Sequence, residues 1–256
     1  WVAKTGLDAQ QRRMTVVANN LANVNTTGFK RDRAVFEDLL YQTIRQPGAQ
    51  TDQNSNSPTG LVLGTGTRVV ATEKIHSQGN MIQTDNALDL AIDGNGFLQT
   101  LRSDGTIGYT RDGSLKLNNV GQLVTASGNL LQPAVTIPNN ARSITIGKDG
   151  TVSVQTFDQP AAQTVGNVQI ASFINPAGLQ AIGGNTYVQT AASGDAQVMT
   201  PSQDGAGSLI QGSLEASNVN VVESMVNMIE TQRAYEVNSK AIAAADGMLR
   251  FINNNL

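Results

Sequence analysis

Cysteine is absent from this chain of 256 residues, which excludes disulfides, thiolate metal sites and cysteine nucleophiles. Histidine occurs once, as His76, so motifs that need a histidine pair are excluded and a hydrolytic triad would depend on that one residue. Charged residues make up only 14% and aromatics 4%. With 17 Lys and Arg against 20 Asp and Glu, the net charge is −3, which exerts no global pull toward nucleic acid or an anionic membrane. No apolar run approaches the ~18 residues of a membrane span. The opening residues, Trp1 to Met14, lack the basic-then-apolar order of a secretory signal.

Polarity comes instead from amides, with 24 Asn and 21 Gln, alongside 25 Gly. Neutral polar groups hydrogen-bond without long-range repulsion, which suits surfaces that pack against copies of themselves; an ordinary β-rich surface has the same composition.

The two ends read as helices. Leu7, Met14 and Leu21 recur every seven residues, with Ala3, Val17 and Val24 in the intervening turns, and this makes one apolar helix face. Asn25, Thr26, Thr27 and Gly28 predict a helix stop, with Gly28 in a left-handed conformation and Phe29 as an apolar anchor. Toward the C-terminus, Val221, Met228, Tyr235, Ile242, Leu249 and Leu256 keep strict seven-residue spacing. Ser217, Asn218 and Asn220 offer N-caps, and Glu223 suits a first turn. The complementary seam (Met225, Gln232, Ser239, Asp246, Asn253) is mostly polar, so a regular two-stranded coiled coil is not expected. A helix from Val219 to Leu256 would be ~57 Å long, more than a small domain covers.

Between the ends the period changes. Asp104-Gly105, Asp112-Gly113 and Asp149-Gly150 read as hairpin turns, flanked by short runs at 97–101, 107–110, 115–117, 123–125, 143–146 and 151–154, with a further run at 168–173. The fold class expected is α+β: long N- and C-terminal helices (1–30 and 217–256) forming a coiled-coil-like domain, with an inserted antiparallel β domain at 78–216 built as a sandwich or irregular barrel. Residues 31–77 connect them. Glu37 and Asp38 fall in a helix-like stretch, and 46–60 read as a polar loop, either flexible or ordered by a neighbour.

Reactive chemistry is not found. Gly64-Thr65-Gly66 begins a dinucleotide fingerprint, but Val69 stands where the third glycine belongs. Gly147-Lys148 precedes Asp149 rather than Ser or Thr. Asp93-Gly94-Asn95-Gly96 lacks the remainder of a calcium loop and reads as a tight turn. His76 reads as a surface or strand-end histidine. No catalytic, cofactor-binding or metal-ligating residue is assigned, and no cofactor is expected.

Two longer motifs are specific. ANNLANVNTTGFK (18–30) and SNVNVVESMVNMIETQRAYEVNSKAI (217–242) closely resemble the terminal signatures of the flagellar axial family of rod, hook and hook-associated proteins. DGNGFLQT and YTRDGSLKLNNVGQLVTASG resemble its shared β region. FEDLLYQTIRQPGAQ (36–50) resembles a segment of the distal-rod branch, which longer hook members lack and proximal rod members match poorly.

The resemblance implies a structural subunit and no enzyme. It implies many copies in a hollow helical shaft across the periplasm, exported by the flagellar type III pathway and located in the basal body. The partners implied are copies of the chain, neighbouring rod and hook subunits, surrounding ring proteins and the export apparatus, with no nucleic acid and no membrane insertion. The assembly interface expected is Leu7, Met14, Val17, Leu21, Met228, Tyr235, Ile242 and Leu249. Asn19 and Asn23, four apart on one helix face, would set register there, although exposed amides near a helix end have the same pattern. Gly28 and Phe29 form the helix stop and family motif. Tyr41, Ile44 and Pro47 anchor a rod-specific segment at 41–58. The rivals are a proximal rod or hook subunit, a periplasmic enzyme acting on peptidoglycan, disfavoured for want of an acid–base pair, and a β-rich adhesin, which would lack paired terminal helices.

Overall fold

The N-terminal apolar periodicity forms helix α1 (Val2–Ala22) and the C-terminal one forms helix α2 (Val221–Asn254). The computed structural model describes residues 2–47, 50–52, 55–56, 59–157, 161–203 and 205–254. The side chains of 50–52, 55, 56, 249, 252 and 254 are not described; of the seven-residue stripe, Leu249 is one of these and Leu256 lies outside the described residues. The architecture is α+β with antiparallel strand pairing. The chain divides into two compact units, one of Trp1–Ala22, Asp32–Lys74 and Asn220–Leu256, the other of Asn23–Arg31 and Ile75–Val219.

In the helical unit α1 and α2 pack together. Asn238 lies against Gly6 and Asn227 accepts a hydrogen bond from Arg13 (3.2 Å), so the helices run antiparallel. Of the three cap candidates, Asn220 serves α2: its Oδ1 accepts from the N–H groups of Val222 (3.0 Å) and Glu223 (3.2 Å), supplying donors that the helix cannot pair.

The described strands between Asp32 and Lys74 pair as a long antiparallel hairpin in place of the helix-like stretch expected from the sequence. Asp32–Asp38 pairs with Thr67–Lys74, Tyr41–Arg45 with Leu61–Gly64, and Gln50–Asp52 with Ser55–Asn56. Glu37 and Asp38 therefore sit on a strand. What the sequence hid was charge complementarity between distant residues: Asp32 faces Lys74, Arg33 faces Glu73 and Glu37 faces Arg68, each directly cross-strand and each ion-paired. Of the polar loop expected at 46–60, residues 48–49, 53–54 and 57–58 lie outside the described residues, and Gln50–Asp52 and Ser55–Asn56 are paired strands rather than loop.

The hairpin lies along α1. At Gly66 (φ +125°) a Cβ would come within 2.0 Å of Thr5 Oγ1, so only glycine fits. Asn20, 7% exposed, accepts from the Asp32 N–H and donates to the Asp32 carbonyl, both at 2.8 Å. One amide thus satisfies both backbone groups of the first hairpin residue.

In the β unit, Phe97–Leu101 is the central strand of a nine-stranded sheet. It pairs with Ile107–Thr110, Leu130–Gln132 and Ile170–Ser172. A three-stranded sheet spans 141–167. Leu90, Ile92, Leu98, Leu131, Val152, Ile170 and Leu209 lead one core. Phe97, Tyr109, Phe173 and Tyr187 lead a second, with Tyr109 edge-on to Phe173 at 4.8 Å. His76 belongs to this aromatic group, edge-on to Phe97 and Tyr187 at 5.5 Å each, rather than to the surface. The turns at Asp104-Gly105 and Asp149-Gly150 close hairpins. Asp112-Gly113 does not: a Cβ on Gly113 would meet the Leu90 carbonyl at 1.6 Å, and the Leu90 N–H donates to the Gly113 carbonyl (3.0 Å). This glycine permits a backbone contact, not a turn.

Candidate assembly site

The α1-facing row of α2 is Ser224, Asn227, Thr231, Ala234 and Asn238, at 3-4-3-4 spacing. Thr231 is fully buried and the rest are half-buried. These are small or polar residues, so the helices approach closely and bury little hydrocarbon. The apolar residues of α2 point elsewhere. Val222 (71% exposed), Met225 (50%), Val226 (50%) and Ile229 (57%) follow the i, i+3, i+4, i+7 rule on the side away from α1.

The seven-residue stripe flanks the contact row. Met228 is half-buried, and Tyr235 and Ile242 are 39% and 38% exposed. On α1, Val17 is buried, and Leu7, Met14 and Leu21 are half-buried. Asn19 is exposed. Asn23 does not share its helix face, because α1 ends at Ala22. The cause is local: Asn23 accepts from the N–H of Thr26 (3.2 Å) and from its hydroxyl (3.1 Å), a turn that competes with helix propagation. The buried asparagine is Asn20. Its position inside the amide-rich motif was legible; its partner was not.

Gly28 and Phe29 are buried beyond the helix stop, in the β unit. Gly28 (φ +68°) donates its N–H to the Glu215 carbonyl (2.8 Å), and a Cβ there would meet the Arg111 backbone at 2.6 Å. The next residue but one opens an ionic node that the sequence reading missed. Lys30 and Glu215 are buried and 2.5 Å apart. Glu215 Oε1 also accepts from the Gly79 N–H (2.9 Å), Lys30 Nζ also donates to the Ser77 carbonyl (2.7 Å), and Arg111 reaches Glu215 Oε2 at 3.2 Å. Arg111 continues to the Gly94 carbonyl (2.8 Å) and lies over the Phe97 ring at 5.3 Å.

Burial pulls the Lys30 ammonium below its ordinary pKa, the Glu215 carboxylate opposes that pull, and Arg111 adds to it. Burial likewise lowers Arg111, again opposed by Glu215. One carboxylate thus holds two cations. Asn218 completes the clasp: its Oδ1 accepts from the Arg31 N–H (2.8 Å) and its amide donates to the Ile75 carbonyl (2.7 Å) and to Ser77. Segments 28–31, 75–79 and 215–218 are thereby bonded to one another inside the β unit. Glu215 is saturated by structural partners, so the node is suited to holding chain segments, not to proton transfer.

Among the described residues no cluster of His, Asp or Glu could hold a metal ion, and no helix is long and apolar enough to cross a membrane.

Three family models match in series. Residues 2–30 match the flagella basal body rod protein model, 91–154 the flagellar hook protein FlgE/F/G D1 domain, and 210–255 the flagellar basal body rod FlgEFG protein C-terminal model. The flagellar basal-body rod protein FlgG of Buchnera aphidicola subsp. Schizaphis graminum is 53% identical over 250 residues, covering 98% of this chain and 96% of the relative. The chain belongs to the flagellar basal-body rod protein family. A protein of the same description from Caulobacter vibrioides is 48% identical over 97% of this chain and 95% of its own. The flagellar hook-basal body complex protein FlhP of Bacillus subtilis is 31% identical over 98% and 97%. Membership of this family supports a structural, non-enzymatic component of the flagellar basal body. The ionic node draws on all three matched segments, with Lys30 closing the first, Arg111 inside the second and Glu215 near the start of the last.

Proposed function

We propose that the chain is a subunit of the distal rod, and that its copies build a hollow helical shaft which transmits torque and passes exported subunits. The observation that carries this reading is its near-full-length identity to rod proteins, which extends through the hairpin region between the family-model matches. The apolar face of α2 left uncovered by α1 supports it, since a polymer needs surfaces unsatisfied in the single chain. In this reading the terminal helices act as a coiled-coil-like core with the β domain inserted, and the partners are further copies, adjoining rod and hook subunits, ring proteins and the type III export apparatus.

The hairpin segment at 41–58 is proposed to stiffen the shaft by touching a neighbour. Tyr41 and Ile44 are 59% and 58% exposed and Pro47 is exposed, which leaves them available as anchors. Electron microscopy of the purified chain at high concentration tests the subunit reading: tubes are expected, and their absence across salt and pH would overturn it. Deleting 46–58 is expected to leave export intact and give a more flexible polymer. Straight rods of unchanged stiffness would overturn the stiffening role.

A further inference from the structure

Building on the subunit reading, we infer that the α2 stripe of Val222, Met225, Val226 and Ile229 receives the Leu61–Leu63 face of the hairpin ribbon from a second copy of the chain. The ribbon, Tyr41–Arg45 paired with Leu61–Gly64, has no third strand among the described residues, and every one of these residues is exposed. A lone two-stranded ribbon is marginal in water and needs cover. Its two faces differ. Gln42 stands opposite Leu63 and Arg45 opposite Leu61, whereas Tyr41 and Val62 lie on the other side of the pleat. One face therefore carries two leucines, each about 50% exposed, beside the only charge in 40–47 and 59–66, that of Arg45.

The stripe is complementary. Between 221 and 232 the charges of α2 are Glu223 and Glu230, seven residues apart and so on one edge of the stripe; Glu230 also lies 3.9 Å from Arg13 of α1, and Arg233, paired with Glu236, ends the stripe one turn after Ile229. Leucines two apart on a strand are ~7 Å apart, close to the ~6 Å rise between Val222 and Val226 on the helix. The acidic edge disfavours an anionic lipid surface. It also disfavours the stripe of another α2, because an isologous pairing would set Glu223 and Glu230 against their own copies; such a pairing would moreover close into a dimer, whereas unlike faces on one chain propagate a filament. Four side chains fall short of the ~800 Å² per partner of a stable pair, so this is one contact among several in the polymer.

The absence of cysteine makes the test direct. Equal amounts of a Leu63→Cys chain and a Met225→Cys chain are assembled together, pelleted and treated with a short bismaleimide; Val62→Cys with Met225→Cys is the opposite-face control. The expected result is a mixed adduct at least about fivefold more abundant from Leu63→Cys than from Val62→Cys, since alternate strand residues face opposite ways. Arg45→Glu is expected to raise the critical concentration for assembly about two- to fivefold, the range of an exposed ion pair, and Arg45→Lys to leave it unchanged. Polymer without Leu63–Met225 adducts, or with equal adducts from Val62→Cys, would overturn this contact alone. Failure of the cysteine-free parent to polymerise would overturn the subunit reading and the contact with it.

Discussion

Glu215→Gln probes the clasp of the β unit with almost no change in shape. In the native node two buried cations face one carboxylate, with Lys30 Nζ 2.5 Å and Arg111 Nη1 3.2 Å from its oxygens. The variant leaves both cations opposite a neutral amide, and removing one partner of a buried pair costs ~3–5 kcal/mol. At ~2–4 °C per kcal/mol for a unit of this size, the melting temperature should fall by about 6–20 °C. Lys30→Met is the informative comparison. It removes the surplus cation and leaves Arg111 and Glu215 as a one-to-one pair, and the Ser77 carbonyl loses one of its two bonds while keeping that from the Asn218 amide (3.0 Å), so its cost should be only ~1–2 kcal/mol. Urea unfolding of the full chain, followed by the near-ultraviolet circular dichroism of the buried Tyr109 and Tyr187, reports this unit. The reasoning fails if Glu215→Gln costs under ~1 kcal/mol, or if Lys30→Met costs the more of the two.

The same node sets a pH dependence: burial holds the folded Lys30 pKa below its unfolded value, so between the two the unfolded chain binds more protons and stability rises with pH. The wild-type minus Lys30→Met stability difference should therefore climb on approach to the free-lysine pKa, and a flat difference would count against it. Asn20→Ala removes two buried hydrogen bonds to Asp32 and should cost ~2–3 kcal/mol by urea unfolding of the helical unit; a loss within error would show that Asp32 is satisfied elsewhere. Gly66→Ala should loosen the hairpin from α1, seen as faster proteolysis within 40–65 and no change in the β unit. Asn220→Ala should cost ~1 kcal/mol through the lost α2 cap, checked by thermal melts of helical circular dichroism. Ile242→Asp is expected to abolish swimming when it replaces the wild-type subunit, with the near-ultraviolet melt of the β unit unchanged; normal swimming would remove the seven-residue stripe from any tight interface.

Local signals were legible where adjacent residues supply the whole cause. The terminal helices follow from apolar periodicity. The strands at Phe97–Leu101 and Ile107–Thr110 follow from a glycine turn between short apolar runs, and the α2 cap follows from an asparagine at the right offset. The resemblance carried by 18–30 and 217–242 pointed to the family. The helix-like reading around Glu37 and Asp38 misled because what holds this stretch is a strand partner some 30 residues away, such as Arg68 for Glu37.

Tertiary structure alone decided which amide is buried, which glycine makes a turn, and which face of α2 meets α1. Asn19, Asn20 and Asn23 are chemically alike, and only the passing Asp32 backbone selects Asn20. Gly113 and Gly105 follow the same Asp-Gly pattern, yet one closes a hairpin and the other admits a carbonyl. Lys30, Arg111 and Glu215 lie far apart in sequence and form one site because burial makes each charge depend on the others. The sequence by itself determined the amphipathic helices, the glycine-bounded strands and the lack of reactive groups, since these depend on residue type and spacing. Partners that are distant along the chain were settled by the fold, because burial and long-range pairing leave no periodic trace in the residues that undergo them.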